Sequence, residues 1–147
     1  MGERRNIKTD TIIDATAKIV ERDGFDNLNL NSIAAELGVK PPSLYNHVKG
    51  IDDVRRGLAE FVLKKMEAAV KNAAIGRSKA DALRETAYAY RRFAKEHPQL
   101  YCAYTNVPKT ENGRVLLENL ANTLRQVLSG FGLEYEAEDN FIRLFHS

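Results

Sequence analysis

SIAAELGVKPPSLYNHV, residues 32–48, reads as two short helices joined by a tight turn. Asn29 stands just ahead as an N-cap, able to accept from the unpaired N–H groups of a first helical turn, and Ile33 and Leu37 give that helix one apolar face. Gly38 stops it. Pro41 and Pro42 then stand where a new helix starts, because proline has a suitable φ and its missing N–H is not needed there. Leu44 and Val48 form the buried stripe of this second helix, which leaves Ser43, Tyr45, Asn46, His47 and Lys49 facing outward. An ordinary solvated helix carries Glu and Lys on that side. Hydrogen-bonding groups of this kind suit a DNA groove.

The rest of the chain is helical in period, and no alternating run bounded by turn residues reads as a strand. A first helix over about Asp10 to Asp23 has Ile12, Ala15, Ile19 and Val20 on one face, with Gly24 as its stop and Phe25 as a plug for the small core. Together with the two short helices it makes a helix-turn-helix unit. A fourth helix from about Asp52 carries Asp52 and Asp53 at its positive end and Val54, Leu58, Phe61, Val62 and Met66 as its stripe. It links two modules. Residues 73–78 read as a loop with Ser78 as N-cap, and a fifth helix spans about Lys79 to Glu96 until Pro98 ends it. A short sixth helix covers Gln99 to Tyr104, a loop runs from Val107 to Gly113, and a seventh helix buries Leu116, Leu120, Leu124 and Val127 before Gly130 and Gly132. An eighth begins near Glu136. The expected fold is all-α: a three-helix DNA-binding domain over residues 1–52 and a helical-bundle domain over 53–147.

Composition sets bounds without announcing DNA binding. The first 60 residues hold nine Lys or Arg against ten Asp or Glu, so any phosphate contact depends on where positive groups and helix N-termini stand. No segment approaches the roughly 18 apolar residues of a membrane span. No apolar signal region follows the charged start, and the single Cys102 has no partner for an internal disulfide, so the expectation is a cytoplasmic protein with no membrane association. Cys102 is expected as a small buried hydrophobe and His97 as a residue that orders the turn before Pro98.

Residues 32–48, the Ile-x-x-Ala-x-x-x-Ile-Val segment of the first helix and the Gly24-Phe25 pair together resemble the TetR family of bacterial regulators. The resemblance covers about the first 60 residues. It implies a recognition helix from Pro41 to Lys49 in the major groove, and a homodimer on a partly palindromic double-stranded operator. By position it makes Lys40, Pro41, Pro42 and Asn46 base-proximal, and Asn29, Ser43, Tyr45, His47 and Lys49 phosphate-contacting, with Asn31 in either group. Two positions depart from the family pattern. Ile51 stands where a phosphate-binding Lys is common, and Lys40 replaces a small polar N-cap. Arg4, Arg5 and Lys8 are further candidates for phosphate.

Farther along, Tyr90-x-x-Phe93-Ala94-x-x-His97-Pro98-x-x-Tyr101 is similar to the opening of the C-terminal domain in one TetR subgroup. The terminal Phe145-His146-Ser147 resembles that subgroup's aromatic-His-Gly motif, with Ser147 in place of Gly. Members normally continue through two long dimerisation helices, so the resemblance implies that residues 53–147 are a ligand-binding and dimerisation domain shortened at its C-terminus. The resemblance implies a small-molecule effector, and Tyr88, Phe93, Tyr101, Tyr104, Leu117 and Leu120 are candidates either for its pocket or for ordinary core. The expected function is a ligand-responsive repressor released by an apolar or aromatic molecule. The alternative is a helical small-molecule-binding protein whose helix-turn-helix is only structural. No catalytic residue, metal site or cofactor is expected: His47, His97 and His146 are scattered, and neither a phosphate-cradling Gly-rich loop nor a nucleophile elbow is present.

Overall fold

The computed structural model describes residues 7–105, 111–132 and 140, and every element among them is helical. Helix α1 (Thr9–Asp23) buries Ile12, Ile13, Ala15, Thr16, Ala17, Ile19 and Val20, so the apolar stripe read from its period is the face it turns inward. Thr16 fits in that stripe because its hydroxyl donates to the Ile12 carbonyl at 2.7 Å. Gly24, at φ +90°, returns its N–H to the Val20 carbonyl and ends the helix. A 3₁₀ turn follows over Phe25–Asn27, where Phe25 is only half-buried, with the Arg55 guanidinium 5.8 Å from its ring centre. Phe25 therefore lies at the margin of the core and does not plug it.

Helix α2 (Leu30–Leu37) has reciprocal capping at its start: Asn29 Oδ1 accepts from the Ser32 N–H at 2.9 Å, and the Ser32 hydroxyl meets the Asn29 N–H. At its other end Gly38 is left-handed, at φ +68°, and Val39 N–H bonds back to the Ala34 carbonyl. Pro41–Asn46 is a 3₁₀ helix, shorter and tighter than the expected helix from Pro41 to Lys49. With prolines at its first two positions, few backbone N–H groups are available, and i→i+3 bonds such as Ser43 N–H to Lys40 O close the turn. The stripe is as expected, with both Leu44 and Val48 buried.

Helix α3 (Ile51–Ala74) is the axis of the molecule, about 36 Å long at 1.5 Å per residue. Its buried side holds Val54, Leu58, Ala59, Val62, Leu63, Met66 and Val70. Phe61, expected in that stripe, is half-buried with Lys65 Nζ 4.9 Å from its ring centre. Helices α4 (Lys79–Glu96), α5 (Pro98–Thr105) and α6 (Glu111–Ser129) pack on α3, and α5 also reaches α1. Glu111 to Gly113, expected in a loop, already belong to α6. Gly113 is buried there, so close packing outweighs its weak helix preference. Cys102 is exposed, contrary to the expected burial, because α5 turns Leu100, Ala103 and Tyr104 inward and leaves Cys102 on its outer side. The expected eighth helix from Glu136, the Phe145-His146-Ser147 motif, and Arg4 and Arg5 lie outside the described residues.

One connected core runs from Ile7 and Ile12 through Leu44, Leu58 and Met66 to Leu120 and Leu128. Val54, Leu58 and Val62 of α3 are fully buried within it. No helix among the described residues is long and apolar enough to cross a membrane.

Candidate nucleic-acid interface

The outward face of the 3₁₀ helix is built by the same residues that bury its inner face. Leu44 is fully buried, Val48 nearly so, and between and beyond them Tyr45, Asn46, His47 and Lys49 are exposed. Tyr45 is 59% exposed, an unusual setting for an aromatic ring that has apolar core within one turn. Lys40 and Pro42 are exposed beside it, and Pro41 and Ser43 are half-buried. The sequence-derived set thus forms one continuous polar ridge at the end of the molecule, apart from Asn29 and Asn31, which sit at the start of α2.

Asn29 is exposed, yet most of its amide is already engaged. Its Oδ1 caps α2 and its Nδ2 donates to the Asn27 carbonyl at 3.1 Å, leaving one amide hydrogen for any outside acceptor. Its first role is to set the direction of α2.

Asp53 is a functional candidate that the sequence reading treated only as a favourable charge at a helix start. Its Oδ2 accepts from the Lys49 backbone N–H at 3.0 Å, and its Oδ1 takes the Arg56 guanidinium at 2.9 Å. Gly50, the N-cap of α3, has no side chain to cap with, so the carboxylate three residues on reaches back instead. The Arg56 hydrogen bond and then the Lys49 N–H hold the Asp53 carboxyl below its ordinary range. This clamp fixes the end of the ridge to α3. An acidic residue at the third helical position after a glycine N-cap is the signal that could have found it.

Two contacts join the other end of the module to the second half of the chain. The His97 ring, at the C-terminus of α4, pairs through Nδ1 with Glu21 of α1, and Gln99 Oε1 accepts from the Phe25 N–H at 3.3 Å. His97 also stacks at a tilt on Phe93, with ring centres 5.1 Å apart. Its backbone N–H returns to the Phe93 carbonyl at 2.9 Å just before Pro98, and its side chain holds α1 against the α4–α5 corner.

The aromatic candidates divide into two groups. Tyr101 and Tyr104 have ring centres 5.5 Å apart, and the Tyr90 hydroxyl lies 3.3 Å from that of Tyr101. Phe93, Tyr104 and Leu120 are buried, and Tyr101 and Leu117 are half-buried. Tyr88 stands apart, 51% exposed on the outer side of α4. Burial raises the Tyr104 phenol, and burial together with the Tyr101 hydrogen bond raises that of Tyr90. Thr86, one turn before Tyr90, is fully buried, and its hydroxyl has no hydrogen-bond partner among the described residues. No group of three or more His, Cys, Asp or Glu suited to a metal occurs among the described residues.

A capped helix, a glycine turn and a second short helix with a polar outer ridge, packed on a longer first helix, define a helix-turn-helix module. Residues 12–55 match the model of the bacterial regulatory proteins of the tetR family. Over 133 residues the chain is 32% identical to the HTH-type transcriptional regulator Rv0681 of Mycobacterium tuberculosis, a match that covers 88% of this chain and 61% of that protein. The fold is also that of a protein from Rhodococcus sp. RHA1, with a TM-score of 0.75 at 18% identity, covering 98% of this chain and 80% of that one. ActR of Streptomyces coelicolor, solved in complex with (S)-DNPA, has a TM-score of 0.65 at 24% identity, covering 95% of this chain and 66% of that one. The chain thus spans about three fifths of the length of its Mycobacterium relative.

Proposed function

We propose that the protein is a sequence-specific, DNA-binding transcriptional regulator that acts as a homodimeric repressor and is released from its operator by a small apolar or aromatic molecule. The observation that carries this reading is the polar ridge over a buried Leu44–Val48 stripe, with Tyr45 held out in solvent. In this reading residues 1–52 bind DNA and 53–147 sense and dimerise. Asn46 and Lys40 read base edges beside Pro41 and Pro42. Ser43, Tyr45, His47, Lys49 and Asn31 fix the register on phosphate, and Asn29 adds its one remaining amide hydrogen. A bidentate amide on adenine contributes about 1–3 kcal/mol of discrimination, so specificity rests chiefly on Asn46.

The effector reading is supported by the phenol cluster and by the unpartnered Thr86 hydroxyl, a buried polar group of the kind that a ligand satisfies. Tyr101, Tyr104, Phe93, Leu117 and Leu120 are the proposed lining residues, and Tyr88 is exposed on the outer side of α4. The resemblance of residues 90–101 to the subgroup with an aromatic-His-Gly motif agrees with such a pocket, as does the (S)-DNPA bound to ActR. An effector that moves α4 and α5 pulls on α1 through His97 and Gln99 and on the ridge through α3 and Asp53. Recognition elements must stand about 34–36 Å apart to read one face of a duplex, so a small pivot in a dimer suffices for release.

The test is fluorescence anisotropy with the DNA upstream of the protein's own gene and a scrambled duplex, over a salt series. Sequence-selective binding is expected, and the Tyr45→Ala, Lys49→Ala double variant should lose affinity and lower the salt slope by about 1 for each phosphate contact removed. Equal affinity for both duplexes, or a double variant that binds like the parent, would overturn the assignment. A ligand found by thermal shift should weaken operator binding with a coupling of about 1–3 kcal/mol.

A further inference from the structure

At the end of the molecule away from the ridge, the last turn of α3, the start of α4 and the last turn of α6 enclose an open groove of about 460 Å³. Its floor is apolar, with Ala74, Ala82 and Val127, and its walls carry Lys71, Arg77 and Lys79. No Asp or Glu lines it. The Tyr and Phe side chains of the proposed effector site do not line it either, so it is a separate place in the fold.

Three features indicate that this groove is built to hold something. Lys79 has a left-handed backbone, φ +46°, the single non-glycine residue so placed among the described residues, at a cost that the surrounding structure must offset. That conformation lays its side-chain stem over Gly130, where a Cβ would come 3.6 Å from Lys79 Cγ. Ile75, also on the groove, is a branched apolar side chain left 70% exposed by the described residues. Two of the cations are held in place: Lys71 Nζ pairs with Glu67 at 2.5 Å and Arg77 Nη1 donates to the Ala73 carbonyl at 2.9 Å. Arg77 keeps its other donors, and among the described residues no hydrogen bond or ion pair engages the Lys79 ammonium.

We propose that this groove binds an anionic amphiphile: a free monocarboxylate whose head meets Arg77 and Lys79 and whose apolar chain of about ten carbons covers Ile75 and the alanine floor. Charge complementarity selects the head, and the apolar floor selects the tail. Excluding acidic groups from the lining removes the repulsion that would reject a carboxylate. The site does not depend on the DNA-binding reading and can fail or stand without it.

The experiment uses the whole chain, with decanoate, decanol and decyltrimethylammonium as probes below their micelle concentrations, read by calorimetry and thermal shift. Decanoate should bind and raise the melting temperature, decanol should bind at least about tenfold more weakly, and the cation should not bind. In the Lys71→Gln, Arg77→Gln, Lys79→Gln variant, decanoate affinity should fall at least about tenfold, while Lys18→Gln, Lys64→Gln, Lys65→Gln, away from the groove, leaves it unchanged. Lys79→Gly keeps the backbone and relieves its strain, so it should melt higher yet bind decanoate less tightly. Equal binding of decanol and decanoate, or full decanoate affinity in the groove variant, overturns the proposal.

Discussion

Gly57→Ala places a methyl group where α3 crosses α1, and two effects of similar size then compete. A Cβ at position 57 would lie 2.6 Å from Ile13 Cδ1 and 3.3 Å from Ile13 Cγ1. In a helix interior alanine gains about 1 kcal/mol over glycine. Overpacking costs about 1–3 kcal/mol, and the Ile13 δ-methyl can lower that cost by turning into the groove that Ile13 and Gly57 border, while Cγ1 stays close. The single variant should therefore lose up to about 2 kcal/mol, a fall of roughly 2–4 °C in melting temperature per kcal/mol for a chain of this size. Ile13→Val alone should cost about 1 kcal/mol through the cavity it leaves. In the double variant the new Cβ occupies the space that Cδ1 vacated and the helix gain remains, so stability should return to the parent's or exceed it. The coupling is then about 1–3 kcal/mol, read from urea unfolding followed by far-UV circular dichroism. If the two changes add to within about 0.5 kcal/mol, the close approach is not what keeps glycine here.

Three further predictions follow the same residues. Asn29→Ala should cost about 1 kcal/mol by removing the α2 cap, and Gly38→Ala about 1–2 kcal/mol by forcing a side chain into a left-handed turn, both measured by denaturant unfolding. Asp53 has a carboxyl held low by Arg56 and the Lys49 N–H, so the stability it adds is present at neutral pH and is lost as the pH falls through its folded pKa; Asp53→Asn should remove that part of the acid dependence, seen in hydrogen exchange at the Lys49 amide. Tyr90 and Tyr104 have phenols raised by burial, so their contribution is intact below about pH 10 and drains as the unfolded chain ionises above it. Absorbance at alkaline pH should show these two titrating only with unfolding, and a smooth, complete titration of every tyrosine before unfolding would contradict the packing.

Local signals were legible wherever one residue type settles the backbone. Asn29 and Gly38 bound α2, and Ser78 and Pro98 bracket α4, whose limits, Lys79 and Glu96, fall where the sequence puts them. The element at Pro41–Asn46 differs in being a 3₁₀ helix, and period alone does not separate that from a short α-helix. Glu111 to Gly113 were read as loop from a glycine that tertiary packing overrode. Cys102 was read as buried from its residue type, while α5 selects its inner face with Leu100, Ala103 and Tyr104. The polar ridge was visible because its residues are neighbours in sequence. The His97–Glu21 pair joins residues 76 positions apart and leaves no mark in either stretch alone.

That pair, with Gln99 on the Phe25 N–H and with Val54, Leu58 and Val62 of α3 in the common core, limits how the chain can be cut and rejoined. Residues 1–52 transplanted alone onto a foreign partner would uncover the face of α1 that packs against α3 and α5. A workable chimera has to carry the first half of α3 and a replacement for the His97–Gln99 corner along with the reading head, so the smallest transferable unit of this protein is set by its core and not by its motif.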